Sequence, residues 1–183
     1  MNRNGRLQVC NTAASAYNVG LVLMVQLGWR LWRHVGREEF PAYHRAWWFG
    51  SGGIQPILWP GVGIHALGSV AQLRWRSPAV PVKLPWIILG LQIASGALTA
   101  TWWGAQQAKI DQIRAGDGSL TPQYRRLLKT HWVRVGLITA AAVCQAWMAS
   151  CTIDEHDAQL LARPSQARAP MGPDDFHTAT APG

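Results

Sequence analysis

Four long apolar runs, set apart by short polar segments, organise this chain. The first covers residues 11–31, where AYNVGLVLMVQLGW carries no charge and Arg30 and Arg33 close the run. The second, residues 47–73, is apolar and rich in glycine (Gly50, Gly52, Gly53, Gly61, Gly63, Gly68), and Pro56 and Pro60 interrupt it. Proline removes a helix hydrogen bond and clashes with the preceding turn, so a kink is expected there. The third, residues 82–105, opens with Pro85 and Trp86 and closes with Trp102 and Trp103. The fourth, residues 131–151, contains the uncharged stretch VGLITAAAVCQAWMA. Each run approaches the roughly 20 apolar residues that carry a helix across a bilayer core. Small residues recur within them, at Ala13–Ser15, Gly61, Gly68, Ser69, Ser95–Ala97 and Ala140–Ala142. Close helix packing in lipid uses such residues. The pattern predicts an all-α fold, an integral membrane four-helix bundle over residues 1–151.

Between the third and fourth runs, GDGSLTPQYRRLL reads as a turn and then a helix start. Thr121 is placed to be the N-cap and Pro122 the first helical residue, and this helix can continue into the fourth run. Beyond Cys151 the apolar pattern stops. Residues 152–183, rich in Pro, Ala and Asp, are expected to form a disordered polar tail.

Composition sharpens this picture. Charged residues make up 14% of the 183, against roughly 25% in an ordinary globular protein. A mean hydropathy near zero looks soluble, but the polar tail and the tryptophans pull the average down. The net charge of +8 is spread over several loops, which suits anionic headgroups better than nucleic acid, so no nucleic-acid partner is expected. Cys10, Cys144 and Cys151 have no CxxC spacing, which argues against thiol–disulfide chemistry or a Cys-based zinc site. Arg3 and Arg6 precede the first run without a small-residue cleavage site after it, so that run reads as an uncleaved span. Ten Lys and Arg residues flank the side of the first and third loops and seven the other, a bias that leans towards both termini outside the cell.

Candidate chemistry gathers at one boundary. Seven of the eleven tryptophans (Trp29, Trp32, Trp47, Trp48, Trp102, Trp103, Trp132) flank run ends that alternating helix direction brings to one side, and tryptophan prefers that depth. Glu38, Glu39, Tyr43 and His44 precede the second run, Gln106 and Gln107 follow the third, and His131 and Arg134 open the fourth. His44 and His131 can be neighbours there. They could hold a metal or carry a proton, with Arg134 on an oxyanion and Glu38 or Glu39 orienting a histidine. Tyr43, Trp48, Trp103, Gln106 and Trp132 are candidate ligand contacts. The competing reading is that all of them are interfacial anchors. A second polar set (Asn18, His65, Gln92, Gln145) falls within roughly 6 Å of one depth inside the membrane. Either it glues the helices together, or His65 serves a ligand, a haem or a proton path. His44 and His65 would lie about 31 Å apart on one straight helix, and no second intramembrane histidine faces His65, which disfavours a di-haem bundle.

EEFPAYHRAWW, IQPILWP, TWWGAQQAKI and LLKTHWVR resemble the spaced motifs of a family of small bacterial four-helix membrane proteins. That family shows F-x-x-Y-H, a proline-bearing second helix, T-x-x-x-Q at the end of helix three and L-x-x-T-N-W-x-R opening helix four. The resemblance covers residues 38–147. His131 stands where the family pattern has Asn, and GIHAL replaces an acidic position of helix two. The arrangement is more distantly similar to the anthrone-oxygenase-like four-helix membrane family. By this resemblance the bacterial inner membrane is the expected location, and Tyr43, His44, Gln106, His131 and Arg134 are the positions of interest.

Three functions follow as expectations. The first is an accessory or hydrophobic-ligand-binding membrane protein, with the lipid bilayer, a hydrophobic small molecule and a homo-oligomer or membrane-complex partner as its associates. The second is an oxygenase-like or metal- or haem-dependent enzyme acting on an apolar substrate at the tryptophan-rich boundary. The third is an oligomeric transporter or channel using His65. The sequence names no particular metal or cofactor.

Overall fold

The computed structural model describes residues 3–49 and 53–162. Gly50, Gly52 and residues 163–183 of the expected tail lie outside the described residues. Helix α1 (Arg3–Leu31) passes through a 3₁₀ turn (Trp32–His34) and a short loop into α2 (Phe40–Phe49). Then come α3 (Gln55–Arg74), α4 (Lys83–Leu98), a π-helical segment (Thr99–Trp103), α5 (Gly104–Ala108) and α6 (Pro122–Ala162). Among the described residues the chain is all-helical, apart from one isolated bridge between Arg114 and Leu120. Helix α1 packs on α6 and α3, and α4 packs on the same two, so the four long helices close a ring.

The second run is divided ahead of both prolines. Helix α2 ends at Phe49 and α3 begins at Gln55, with Pro56 in the first turn, where a missing N–H removes no helix bond. Pro60 lies inside α3. The Ile54 N–H donates to the Trp47 carbonyl at 2.8 Å across the break. Helix α6 starts as its sequence suggests, the Tyr124 N–H donating to Thr121 Oγ1 at 3.4 Å. It then continues to Ala162, so residues 152–162, expected in the disordered tail, are helical. Ala158, Leu160, Leu161 and Ala162 are strong helix formers, and Gln159 reaches back to Glu155 at 3.3 Å.

Two helical stretches, Lys83–Ala108 and Pro122–Ala162, are long and apolar enough to cross a membrane. Only 22% and 17% of their apolar windows are buried, whereas the core helix of a water-soluble protein would be mostly covered. Helices α1 and α3 carry more polar residues, but on one side. The stripe of α1 that faces its neighbours holds Gln8, Asn11, Ser15, Asn18 and Gln26 at helical spacing, all buried. That of α3 holds His65, Ser69 and Gln72. Their outward faces show Val9, Tyr17, Leu27, Trp59, Ile64 and Leu67, the last 74% exposed. Polar groups inside and apolar groups outside invert the usual soluble pattern.

Glycine sets how closely α1 and α3 approach. A Cβ on Gly61 would lie 2.9 Å from Asn18 Oδ1, and one on Gly68 would lie 2.7 Å from Asn11 Cγ. Towards the 3₁₀ turn the interior becomes aromatic. Trp29, Trp32, Phe40, Trp103, Tyr124 and Leu127 form one cluster, closed over by Ile110 and Ile113 from the loop after α5. A smaller cluster of Val80, Leu84, Ile88, Ala141 and Met148 lies between α4 and α6.

Candidate functional site

A cavity of about 830 Å³ lies among the helices, with α1, α2, α3, α4, the π segment, α5 and α6 all contributing walls, and it is open to the outside where the exposed Trp59 and Ile93 border it. Its lining is mostly apolar, with a polar set at each end. Of the residues singled out from the sequence, Asn18, His44, Trp48, His65, Gln92, Trp103, Gln107 and Arg134 line it.

At the inner end stand Asn18, His65, Gln92 and Ser95. Asn18 Nδ2 donates to the Gly61 carbonyl at 3.2 Å and meets His65 Nδ1 at 3.3 Å. An amide whose nitrogen faces a carbonyl has its orientation assigned, so His65 Nδ1 accepts and the ring proton sits on Nε2. Nε2 has no partner among the described residues. Gln92 Nε2 donates to Ser69 Oγ at 2.7 Å, and Ser69 donates to the His65 carbonyl at 2.8 Å. Behind them, the Asn11 amide meets Gln72 at 2.7 Å and Gln145 at 3.2 Å, while Gln72 Nε2 donates to Gln8 Oε1 at 2.8 Å. The polar set of Asn18, His65, Gln92 and Gln145 thus becomes one hydrogen-bonded seam, in which Asn18 touches His65 while Gln92 and Gln145 join through Ser69 and Asn11.

At the tryptophan end the cavity meets His44, Arg45, Trp48, Trp103, Gln107, Asp111 and Arg134. The π segment turns Trp103 inward, its Nε1 donating to Thr130 Oγ1 at 3.3 Å. Gly104 suits this turn, because a Cβ there would lie 2.9 Å from the Thr99 carbonyl oxygen. Arg134 is half-buried. Its Nε has no hydrogen-bond partner among the described residues, and neither do Gln107 Nε2, Trp48 Nε1 or His44 Nε2. The His44 ring stacks on Phe40 (5.5 Å between centroids, 10° between planes) and meets the Trp32 edge at 5.1 Å. Burial pushes the His44 pKa below its ordinary value, and the Asp111 charge pulls it partly back up.

His131 is elsewhere. It is fully buried against Trp29 at 4.5 Å, its Nδ1 donating to Gln26 Oε1 at 2.8 Å, and it does not line the cavity. Trp29 and Trp32 lie between it and His44, with ring centroids 5.8 Å apart, so the two histidines do not share an ion or a proton directly. Among the described residues no three His, Cys, Asp or Glu side chains converge as a metal site. Glu38 and Glu39 are exposed, the Glu39 carboxylate lying over Gly36. Tyr43 stacks on Trp47 at 6.4 Å at the surface, and Trp132 is exposed with Arg30 over its ring at 5.7 Å. Gln106 contributes its main-chain carbonyl, which accepts from Gln123 Nε2 at 3.2 Å.

The tryptophans expected as interfacial anchors divide. Trp29, Trp32 and Trp103 are buried in the aromatic cluster, while Trp47, Trp48 and Trp102 pack partly against it. Sequence reading placed Gln107 beside Gln106 at this boundary, and it lines the cavity; it missed Arg45 and Asp111 there and Gln26 behind His131. Compared with known proteins, the chain matches no protein-family model, no curated protein and no solved structure.

Proposed function

We propose that this chain is a multi-pass integral membrane protein, a four-helix bundle spanning the bilayer through α1, α3, α4 with its π segment, and α6. We propose further that it binds a hydrophobic small molecule within that bundle. The cavity carries the reading: about 830 Å³ of mostly apolar wall lies in the size range of ligand sites, and a few polar groups converge at its ends. The apolar exteriors of α1 and α3 support the spans, because the polar residues that lower their hydropathy face one another rather than lipid. The resemblance over residues 38–147 to small bacterial four-helix membrane proteins agrees with this and with an inner-membrane location. An enzymatic reading is favoured by one observation, that the two imidazoles of His44 and His65 line the same space and their Nε2 atoms have no partner among the described residues.

The test is extraction and mass spectrometry of the purified protein alongside Ala66→Phe, which fills the cavity from α3. Wild type is expected to retain a near-stoichiometric apolar molecule that the variant loses. Equal retention by both, or no such molecule in wild type, removes the reading. In the enzymatic case His65→Ala keeps the molecule bound and abolishes its conversion.

A further inference from the structure

We infer that the molecule held in the cavity is a long-chain carboxylate, its head on Arg134 and its chain running inward towards His65. This rests on the ligand-binding reading above. Arg134 lines the cavity half-buried, with no acidic partner among the described residues, and because its Nε is fully covered it is the terminal amino groups that it offers to the cavity. A guanidinium withdrawn from water without a counter-charge is costly, and the partner it suits best is a planar carboxylate taken by two parallel N–H groups. Gln107 and Trp48 also line the cavity, and their Nε2 and Nε1 are donors without a partner among the described residues. The one acid at this end, Asp111, interacts electrostatically with His44 and forms no ion pair with Arg134. Arg45 and Arg134 against Asp111 leave one net positive charge. A single carboxylate neutralises it, and a phosphomonoester dianion overshoots it.

Below the head the walls are apolar, with Leu21, Val22, Val25, Leu58, Leu137 and Ile138 in the lining. They give way to the polar wall of Asn18 and His65. Along α6 from Arg134 to Ala141 this depth is about 10 Å, and along α3 from Gln55 to His65 about 15 Å, at 1.5 Å rise per residue. An extended chain reaches about 1.2 Å per bond, so the space suits a chain of about eight to twelve carbons.

The experiment is equilibrium binding at pH 8 of radiolabelled dodecanoate, dodecanol and dodecyl phosphate to the full chain in nanodiscs of zwitterionic lipid, with empty discs subtracted. Wild type is expected to bind dodecanoate at one per chain and dodecanol about 30-fold more weakly, the effect of leaving a buried charge without its partner. Arg134→Gln should lose that preference while binding dodecanol as wild type does, and Arg134→Lys should keep part of it. Retained dodecanol binding shows that the variant cavity is intact. Equal affinity of wild type for dodecanoate and dodecanol overturns the inference and leaves the cavity as a neutral-ligand site. Tighter binding of dodecyl phosphate overturns the carboxylate assignment. Binding of none of the three overturns the ligand-binding reading itself.

Discussion

Gln26 and His131 are both fully buried and meet at 2.8 Å, with Gln26 Nε2 donating onward to the Leu128 carbonyl at 3.3 Å. Their burial makes removal of one partner worse than removal of both, because the survivor keeps its desolvation cost. Gln26→Leu is expected to destabilise the protein by about 1–3 kcal/mol, and Gln26→Leu with His131→Leu by less. Thermal unfolding of the singles and the double checks this, and additive losses would contradict it. His44 gives a pH dependence. Its folded pKa lies below the ordinary value of 6.5, so the unfolded chain takes up a proton first as pH falls. The stability contribution is complete above about pH 6.5 and declines as pH falls below it. His44→Gln should flatten the fall in apparent Tm between pH 7 and 5. An unchanged slope would assign that fall to other groups.

Among the elements, the π segment decides what faces the cavity beyond it. A π turn accommodates an extra residue relative to α-helix, and such segments occur often at functional sites. It sets Trp103 inward and carries Gln107 and Asp111 on to the cavity wall. Deleting Ala100 should convert the segment to regular α-helix and rotate the following residues by about 100°. Ligand retention is expected to be lost while membrane insertion is kept, and retention at the wild-type level would show that the π geometry is incidental. The loop after α5 acts as a second ordering element. Arg114 Nη2 donates to the Arg33 carbonyl at 3.0 Å and Nη1 to the Gly118 carbonyl at 2.6 Å. That clamp ties the two loops of the tryptophan end together and holds Ile110 and Ile113 in the core.

At the scale of the whole molecule, the distribution of polarity matters more than its average. Trp59, Leu67, Ile93 and Val143 are each at least 62% exposed, on α3, α4 and α6, while the amides of α1 and α3 bond inward. Spin labels at Leu67→Cys and Val143→Cys, with Cys10, Cys144 and Cys151 replaced by alanine, should relax with lipid-dissolved oxygen. A label at Ser69→Cys should be protected from both oxygen and an aqueous relaxant. Labels at residues 67 and 143 that respond to the aqueous agent would remove the membrane reading.

Periodicity made the helical fold legible, since uncharged runs of this length with tryptophan at their ends have few alternatives to helix. The Thr121–Pro122 start of α6 was legible too, because a cap is a local hydrogen bond between residues three apart. The inward set of Asn18, His65, Gln92 and Gln145 could be read from depth alone, but its wiring through Ser69 and Asn11 could not. Composition along a line does not say which side of a helix a residue faces. For the same reason His44 and Arg134 were named together with His131, and only packing separated them: Trp29 and Trp32, which read as interfacial anchors, fill the interior between the two histidines. The sequence by itself determined that four helical runs form and which polar residues they carry, though not the break before Gln55, the π segment or the extension of the last helix to Ala162. The tertiary structure alone decided which of those residues bond to one another and which are left unpartnered around a cavity, because the register between helices distant in sequence is fixed by side-chain packing.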